Sequence, residues 1–221
     1  MEEKITTFNE LGLSSEILKA ISAMGFEEPT PIQGKTIPVL MSGKDVVGQA
    51  QTGTGKTAAF GIPIIEKLDK TNFRVQAIIL TPTRELAVQV AEEMNKLGKF
   101  KKILALPIYG GTSIERQINA LKKGVQVVVG TPGRVIDHIE RGTLKLKDVQ
   151  VVVLDEADEM LDMGFVDDIT KILKETPDDR QTLLFSATMP DEILKISKRY
   201  MRSPEKIKIA LDSVTAPKIS Q

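Results

Sequence analysis

Lys56 follows a glycine and precedes a threonine in the run AQTGTGKT, Ala50 to Thr57. The spacing fits A-x-x-x-x-G-K-T, a variant of the phosphate loop that usually opens on glycine. The apolar stretch DVVGQ precedes it and the helical run TAAFGIPIIEKL follows. In such a strand–turn–helix setting, backbone N–H groups converge on phosphate oxygens. The amides of Gly53, Thr54, Gly55 and Lys56 are placed to do so, with Gln51 and Thr52 in the same loop. Glycine permits the tight turn and the close approach. The Lys56 ammonium would meet β- and γ-phosphates, and the Thr57 hydroxyl a magnesium ion. Taken alone, the octamer also reads as a flexible Gly/Thr surface loop.

A second run carries acid. VQVVVLDEAD, Val149 to Asp158, is an apolar stretch that ends in carboxylates, the Walker B arrangement. At a strand's carboxyl end Asp155 would hold magnesium, partly through water, because this ion takes few carboxylates and keeps phosphate oxygens and waters. Glu156 is the candidate to orient and deprotonate an attacking water. By itself DEAD also fits an acidic helix N-terminus, which the helix dipole stabilises. Together the two runs point to a nucleoside triphosphate and its magnesium.

Both runs need strands to aim them, and the chain supplies candidates. Apolar, β-branched stretches recur: KDVVGQ, QAIILT, KILALPIY, VQVVVG, VQVVVLD, QTLLFSAT and KIKIAL. Amphipathic helical stretches such as TRELAVQVAEEMNKLGKF and SIERQINALKKG lie between them. Strands apolar on both faces and interleaved with helices predict a parallel sheet covered on both sides. Ahead of the first strand, SSEILKAISAMG has a Ser cap and a Gly stop, and TPIQGKTIPVLMSG puts Pro31 in a first helical turn behind Thr30. The polar DSVTAPKISQ at the end predicts a tail or the beginning of a linker.

The totals narrow the class. Thirty Lys plus Arg balance thirty Asp plus Glu over 221 residues. That argues against grip on nucleic acid by overall basic charge, while leaving room for a local anion site. With no cysteine, disulfides, thiolate metal sites and cysteine nucleophiles are out. The polar N-terminus lacks a signal core. No apolar run nears the roughly 20 residues of a membrane helix. The expectation is a soluble, cytoplasmic protein without a membrane partner.

Several stretches, in order, resemble one family. They are GFEEPTPIQ (Gly25–Gln33), AQTGTGKT, PTRELA (Pro82–Ala87), GG (Gly110–Gly111), TPGR (Thr131–Arg134), DEAD (Asp155–Asp158) and SAT (Ser186–Thr188). The chain resembles the N-terminal RecA-like domain of a DEAD-box ATP-dependent RNA helicase, a family in which Ala50 is the usual opening residue. The resemblance implies an α/β RecA-like P-loop fold, with a mostly parallel sheet of about seven strands and helices on both faces. It implies ATP as substrate, Mg²⁺, and RNA bound through its backbone without sequence preference. Residues 1–34 would form an extension with an adenine-recognition motif, 35–210 the ATP-binding domain, and 211–221 the start of a linker to a second RecA-like domain. Gln33 would read the adenine edge, and Phe8, seventeen residues before Gly25, would pack on the base unless it is a plain anchor. Pro82, Thr83, Arg84, Gly110, Gly111, Thr131, Pro132, Gly133 and Arg134 would line the RNA face. Each arginine also reads as a cap or a surface ion pair, and Glu85 adjoins Arg84. Ser186 and Thr188 would bond Asp158 and couple nucleotide state to RNA.

Of the rest, Phe26 reads as core, His138 as a solvated helix residue, and the methionines, Met160 and Met163 included, as packing. The second domain's motifs do not follow Thr188, so the chain is expected to bind nucleotide weakly, hydrolyse it slowly and unwind nothing alone. The competing reading is a non-catalytic, nucleotide-gated RNA clamp, which could dispense with Glu156. A GTPase or small-molecule kinase fits poorly, since no N-K-x-D guanine signature is present.

Overall fold

A computed structural model describes residues 6–50 and 53–208. Seven strands form one sheet: β1 (Val46–Gln49), β2 (Ala77–Leu80), β3 (Ala105–Ile108), β4 (Val127–Gly130), β5 (Val151–Leu154), β6 (Gln181–Ser186) and β7 (Glu205–Lys208). Their spatial order is β3-β4-β2-β5-β6-β1-β7 and every pairing is parallel. The expected "mostly parallel" sheet is wholly parallel among the described residues.

Parallel pairing follows from what the strands carry. β2, β4 and β5 are buried along their whole length, so both of their faces need cover. Alternation divides each strand between two cores. Ile79, Val129, Val151 and Val153 face one; Ile78, Leu80, Val128, Val152 and Leu154 face the other. The first core is closed by α1 (Ser15–Ala23), α2 (Pro31–Met41), α3 (Lys56–Lys67) and α4 (Arg84–Gly98). The second is closed by α6 (Pro132–Glu140), α7 (Ala157–Asp162), α8 (Val166–Lys174) and α9 (Asp191–Tyr200). The remaining helix, α5 (Ile114–Lys123), buries only Gln117. No described helix is long and apolar enough to cross a membrane.

Two features fix the site's surroundings. Residues before β1 belong to the first core: Phe8, Leu13, Ile17, Ile21 and Ile32 pack in the cluster that contains α3. A β-carbon on Gly48 would lie 2.5 Å from the Phe185 ring. Glycine there lets Phe185 cross β1 and meet Phe60 of α3, ring centres 5.5 Å apart. Because all strands run one way, the loops after β1 to β6 emerge at one edge of the sheet, where open α/β sheets bind ligands.

Candidate active site

The loop after β1 leads into α3 at Gly55, whose φ of +87° suits glycine. A β-carbon there would stand 2.6 Å from Gln33 Nε2, so the helix entry is held open for a close neighbour. Lys56 and Asp155 are 7% and 3% exposed. Lys56 Nζ lies 3.8 Å from Asp155 Oδ1, an ion pair too long for a hydrogen bond. Asp155 Oδ1 is buried and receives no hydrogen bond. Burial pushes this carboxyl up to about 6; Lys56 opposes the rise and Glu156 adds to it. A buried oxygen with a free lone pair suits a hard cation that takes oxygen ligands. Among the described residues no three acidic or His side chains gather into a metal cluster, so a cation here would draw its other ligands from phosphate and water.

Glu156 sits between β5 and α7 with φ 53° and ψ 52°. Left-handed backbone at a non-glycine costs about 1–3 kcal/mol, and it directs the side chain differently from a residue continuing the strand. Two residues on, the Asp158 carboxylate accepts from Thr188 N at 2.8 Å and the Thr188 hydroxyl at 2.9 Å. Ser186 Oγ accepts from Asp158 N at 3.2 Å. Burial alone would raise the Asp158 carboxyl, and these bonds bring it below its ordinary value. The DEAD and SAT runs are thus joined by three hydrogen bonds, as the resemblance implied.

Gln33 is buried on the first turn of α2, and each end of its amide makes one hydrogen bond within the protein. Its Oε1 accepts from Thr30 N at 3.0 Å, and its Nε2 donates to Gly55 O at 3.2 Å. The Thr30 hydroxyl donates to Thr54 O at 3.0 Å. The GFEEPTPIQ run therefore clamps the loop that enters α3. Phe8 is 5% exposed and packs as an anchor in the first core; little of its ring is offered to a base. Phe26, half-buried, lies seven residues before Gln33 and lines a cleft of about 640 Å³ with Met24, Gln89 and Glu93. Gln51 and Thr52 lie outside the described residues.

The other loops contribute unequally. Thr83, Arg84, Gly110, Gly111 and Gly133 are exposed, Thr131 is half-buried, and Pro82 and Pro132 are buried, so the prolines shape helix starts and present no surface. Thr83 caps α4, accepting from Leu86 N. Arg84 pairs with its exposed neighbour Glu85. Arg134 points inward, donating to Thr112 O and Gln117 Oε1. Two readings from sequence are corrected. His138 is completely buried because α6 turns it toward α5. Met163, at the end of α7, is 51% exposed, while Met160 does pack. Phe26, read as core, does pack against the first core, half-buried. Sequence reasoning also missed Glu93. Burial raises its carboxyl, Lys96 and the Thr57 hydroxyl oppose, and Asp155 adds to the rise. Only the packing of α4 on α3 brings it there, so no motif spacing could have marked it.

Comparison with known proteins agrees with this geometry. Residues 30–196 match the DEAD/DEAH box helicase family model. The chain is similar to the DEAD-box ATP-dependent RNA helicase CshA of Geobacillus kaustophilus, 63% identical over 98% of this chain and 46% of that protein. It is 60% identical to the ATP-dependent RNA helicase CshA of Listeria monocytogenes, over 98% of this chain and 42% of that one. It thus spans less than half the length of these curated relatives. A DEAD box protein of the hyperthermophile Methanococcus jannaschii has a similar solved structure, with TM-score 0.88, 54% identity, 92% of this chain and 56% of that chain covered.

Proposed function

The chain belongs to the DEAD/DEAH box helicase family, and on that premise we propose that it is the ATP-binding half of an RNA-stimulated ATPase that opens short duplexes or remodels RNA–protein complexes. The observation that carries this is the buried Lys56–Asp155 pair, 3.8 Å apart, with an acceptor left unused. Phosphoryl transfer needs positioned cations around the phosphates and an in-line water. In this reading Gly53 to Lys56 cradle the phosphates with their amides, and Lys56 adds charge to the outer ones. Thr57 and Asp155 would hold Mg²⁺, which when bound neutralises charge on the phosphate oxygens. Glu156 orients the attacking water and takes its proton. Glu93 fixes the Thr57 hydroxyl from the side.

Gln33 gives its amide to the adenine edge after exchanging one of its present partners, and Phe26 offers the aromatic face that the anchored Phe8 does not. RNA is gripped through its backbone along Thr83, Arg84, Gly110, Gly111, Thr131 and Gly133. Residues 1–34 and 35–210 act as one ATP-binding unit. A linker beginning at 211–221 leads to a second RecA-like domain that supplies the remaining γ-phosphate contacts. The setting is cytoplasmic.

Titration with a fluorescent ATP analogue tests the nucleotide reading on this chain. Binding that needs magnesium, and that weakens at least about tenfold in Lys56→Ala, is expected. Magnesium-independent binding, or a preference for GTP, would overturn it. RNA-stimulated turnover is then measured in the chain extended by the second domain. Nucleotide-dependent RNA binding without turnover there would favour the clamp.

A further inference from the structure

Gln117 is the one buried residue of α5, whose other residues are half-buried or exposed. A polar side chain in that place costs stability unless its hydrogen bonds are made, and here all are. Its Nε2 donates to Tyr109 O at 3.0 Å and to Thr112 Oγ1 at 3.1 Å. Its Oε1 faces Arg134 Nη1 at 3.3 Å and His138 Nε2 at 3.0 Å. A backbone carbonyl can only accept, so the Tyr109 contact fixes which end of the amide is nitrogen. The other end is oxygen, and His138 must carry its proton on Nε2. Nδ1 of His138 meets the Thr143 hydroxyl at 2.9 Å. Burial, with Arg134 adding, holds the His138 pKa below its ordinary 6.5, which keeps the ring neutral near pH 7. Arg134 completes the group with two further bonds to Thr112 O, at 3.2 and 3.3 Å.

The placement of these partners is informative. Tyr109 and Thr112 flank the Gly110–Gly111 turn, whose second glycine has φ +79°. Arg134 and His138 stand on the helix that Thr131 opens. Apolar side chains would pack the same space with less risk, since a partly broken buried network is worse than none. What the polar set adds is direction: each bond ends on one named atom of the other segment.

We propose that Gln117, His138 and Arg134 form a buried clasp that fixes the Gly110–Gly111 turn against the start of α6, setting the spacing at which the two segments grip phosphates of one RNA strand. These three are positioning residues; the exposed backbone of the glycine turn and of Gly133 makes the contact. The clasp rests on the RNA-face reading above, and it reassigns Arg134 from phosphate contact to support.

The test uses His138→Leu, which keeps bulk and removes the ring's bonds, and Gln117→Glu, which keeps bulk and the Arg134 contact but removes both donors to the turn. His138→Gln restores a donor toward Gln117. Three quantities are measured: affinity for a single-stranded oligouridylate by NMR titration, affinity for a magnesium–ATP analogue, and amide hydrogen exchange at Gly110 to Thr112. The first two variants should lose about tenfold in RNA affinity and exchange faster at the turn. Nucleotide affinity should stay within about twofold, and His138→Gln should recover most of the loss. RNA affinity unchanged in both variants overturns the clasp while leaving the RNA face standing. RNA and nucleotide affinity falling together with the melting temperature also overturns it, since that marks a purely structural role. A loss of RNA affinity with unchanged exchange overturns it in favour of direct contact. If the parent chain itself binds no oligouridylate, with or without nucleotide, the RNA-face reading falls and the clasp falls with it.

Discussion

Asp45 and Asp155 are buried aspartates at opposite ends of one sheet, and they are treated in opposite ways. Asp45 precedes β1 and is 2% exposed; Asp155 follows β5 and is 3% exposed. Asp45 Oδ1 accepts from Thr182 N at 2.8 Å and Oδ2 from Arg202 N at 2.6 Å. Its carbonyl accepts from Glu205 N at 2.9 Å. One residue thereby ties the amino ends of β1, β6 and β7. Asp155 Oδ1 receives nothing, and its cationic neighbour stays 3.8 Å away. An unsatisfied buried acceptor costs about 1–3 kcal/mol. At Asp45, then, buried polarity is spent on the fold; at Asp155 it is left available. The left-handed Glu156 beside Asp155 is a second such cost at the same edge.

The strongest way to break this contrast is at Glu156. Its replacement by Gln keeps the shape but removes the proposed base. In the protein carrying the second domain, RNA-stimulated hydrolysis should fall by about 10²–10⁴. Affinity for the ATP analogue and the urea midpoint should both stay near the parent's. A fall of less than about tenfold in single-turnover hydrolysis would mean that the unspent group at this edge is not the base.

Asp45→Ala should show the reverse pattern. Two backbone N–H donors lose a charged acceptor, each bond being worth about 1.5–3 kcal/mol, so unfolding free energy should drop by about 3–6 kcal/mol. Nucleotide affinity of the folded fraction should be unchanged. If Asp45→Ala unfolds at the parent's urea midpoint, saturation of the amino end is not what holds those strands.

How much of this was readable beforehand depends on whether a feature is local. The strands were legible because β2, β4 and β5 are β-branched on both faces, a pattern only a doubly covered sheet accepts. Lys56 and Asp155 were legible because each lies in a short run of fixed spacing, Lys56 at the start of α3 after β1 and Asp155 at the end of β5. The bonds from Thr188 and Ser186 to the Asp158 residue were legible only through the resemblance, since the partners are about thirty positions apart. His138 was misread for a physical reason. Its neighbours Asp137, Glu140 and Arg141 are charged, as on a solvated helix, and the partner that buries it comes from α5. Glu93 was missed likewise, as a helix residue whose importance comes only from the neighbouring α3. That Phe8 is buried while Phe26 is only half-buried was not legible either, because exposure is not encoded in spacing.

His138 offers a smaller test, in pH. Its folded pKa is below 6.5, so on acidification the unfolded chain takes the proton first. The stability it supports is complete above about pH 6.5 and is lost as pH falls from there through the lower folded value. Asp155 acts in the other direction: burial pushes its folded carboxyl up to about 6, above the ordinary aspartate value of 3.8, so acid favours folding through it. Comparing the parent with His138→Gln cancels that second effect. Urea midpoints taken at pH 7.5 and 5.5 should separate more in the parent than in the variant. Equal separation would show that the buried ring titrates as if exposed.

The smallest effect is expected at Lys44, one residue from Asp45. Its ammonium lies 2.7 Å from Glu205, closer than Lys56 lies to Asp155, yet the two side chains are 58% and 49% exposed. Water screens such a pair and two long side chains must be ordered to make it, so its contribution should be within about 0.5 kcal/mol. The Lys44 carbonyl, which accepts from Gln181, survives any side-chain change. Lys44→Ala should therefore leave the urea midpoint almost where it was, at low and high salt alike. A loss above about 1 kcal/mol that disappears in salt would show that exposed charge helps hold the amino end together. Strength there would then no longer follow from burial, and Asp45 and Asp155 would differ in degree only.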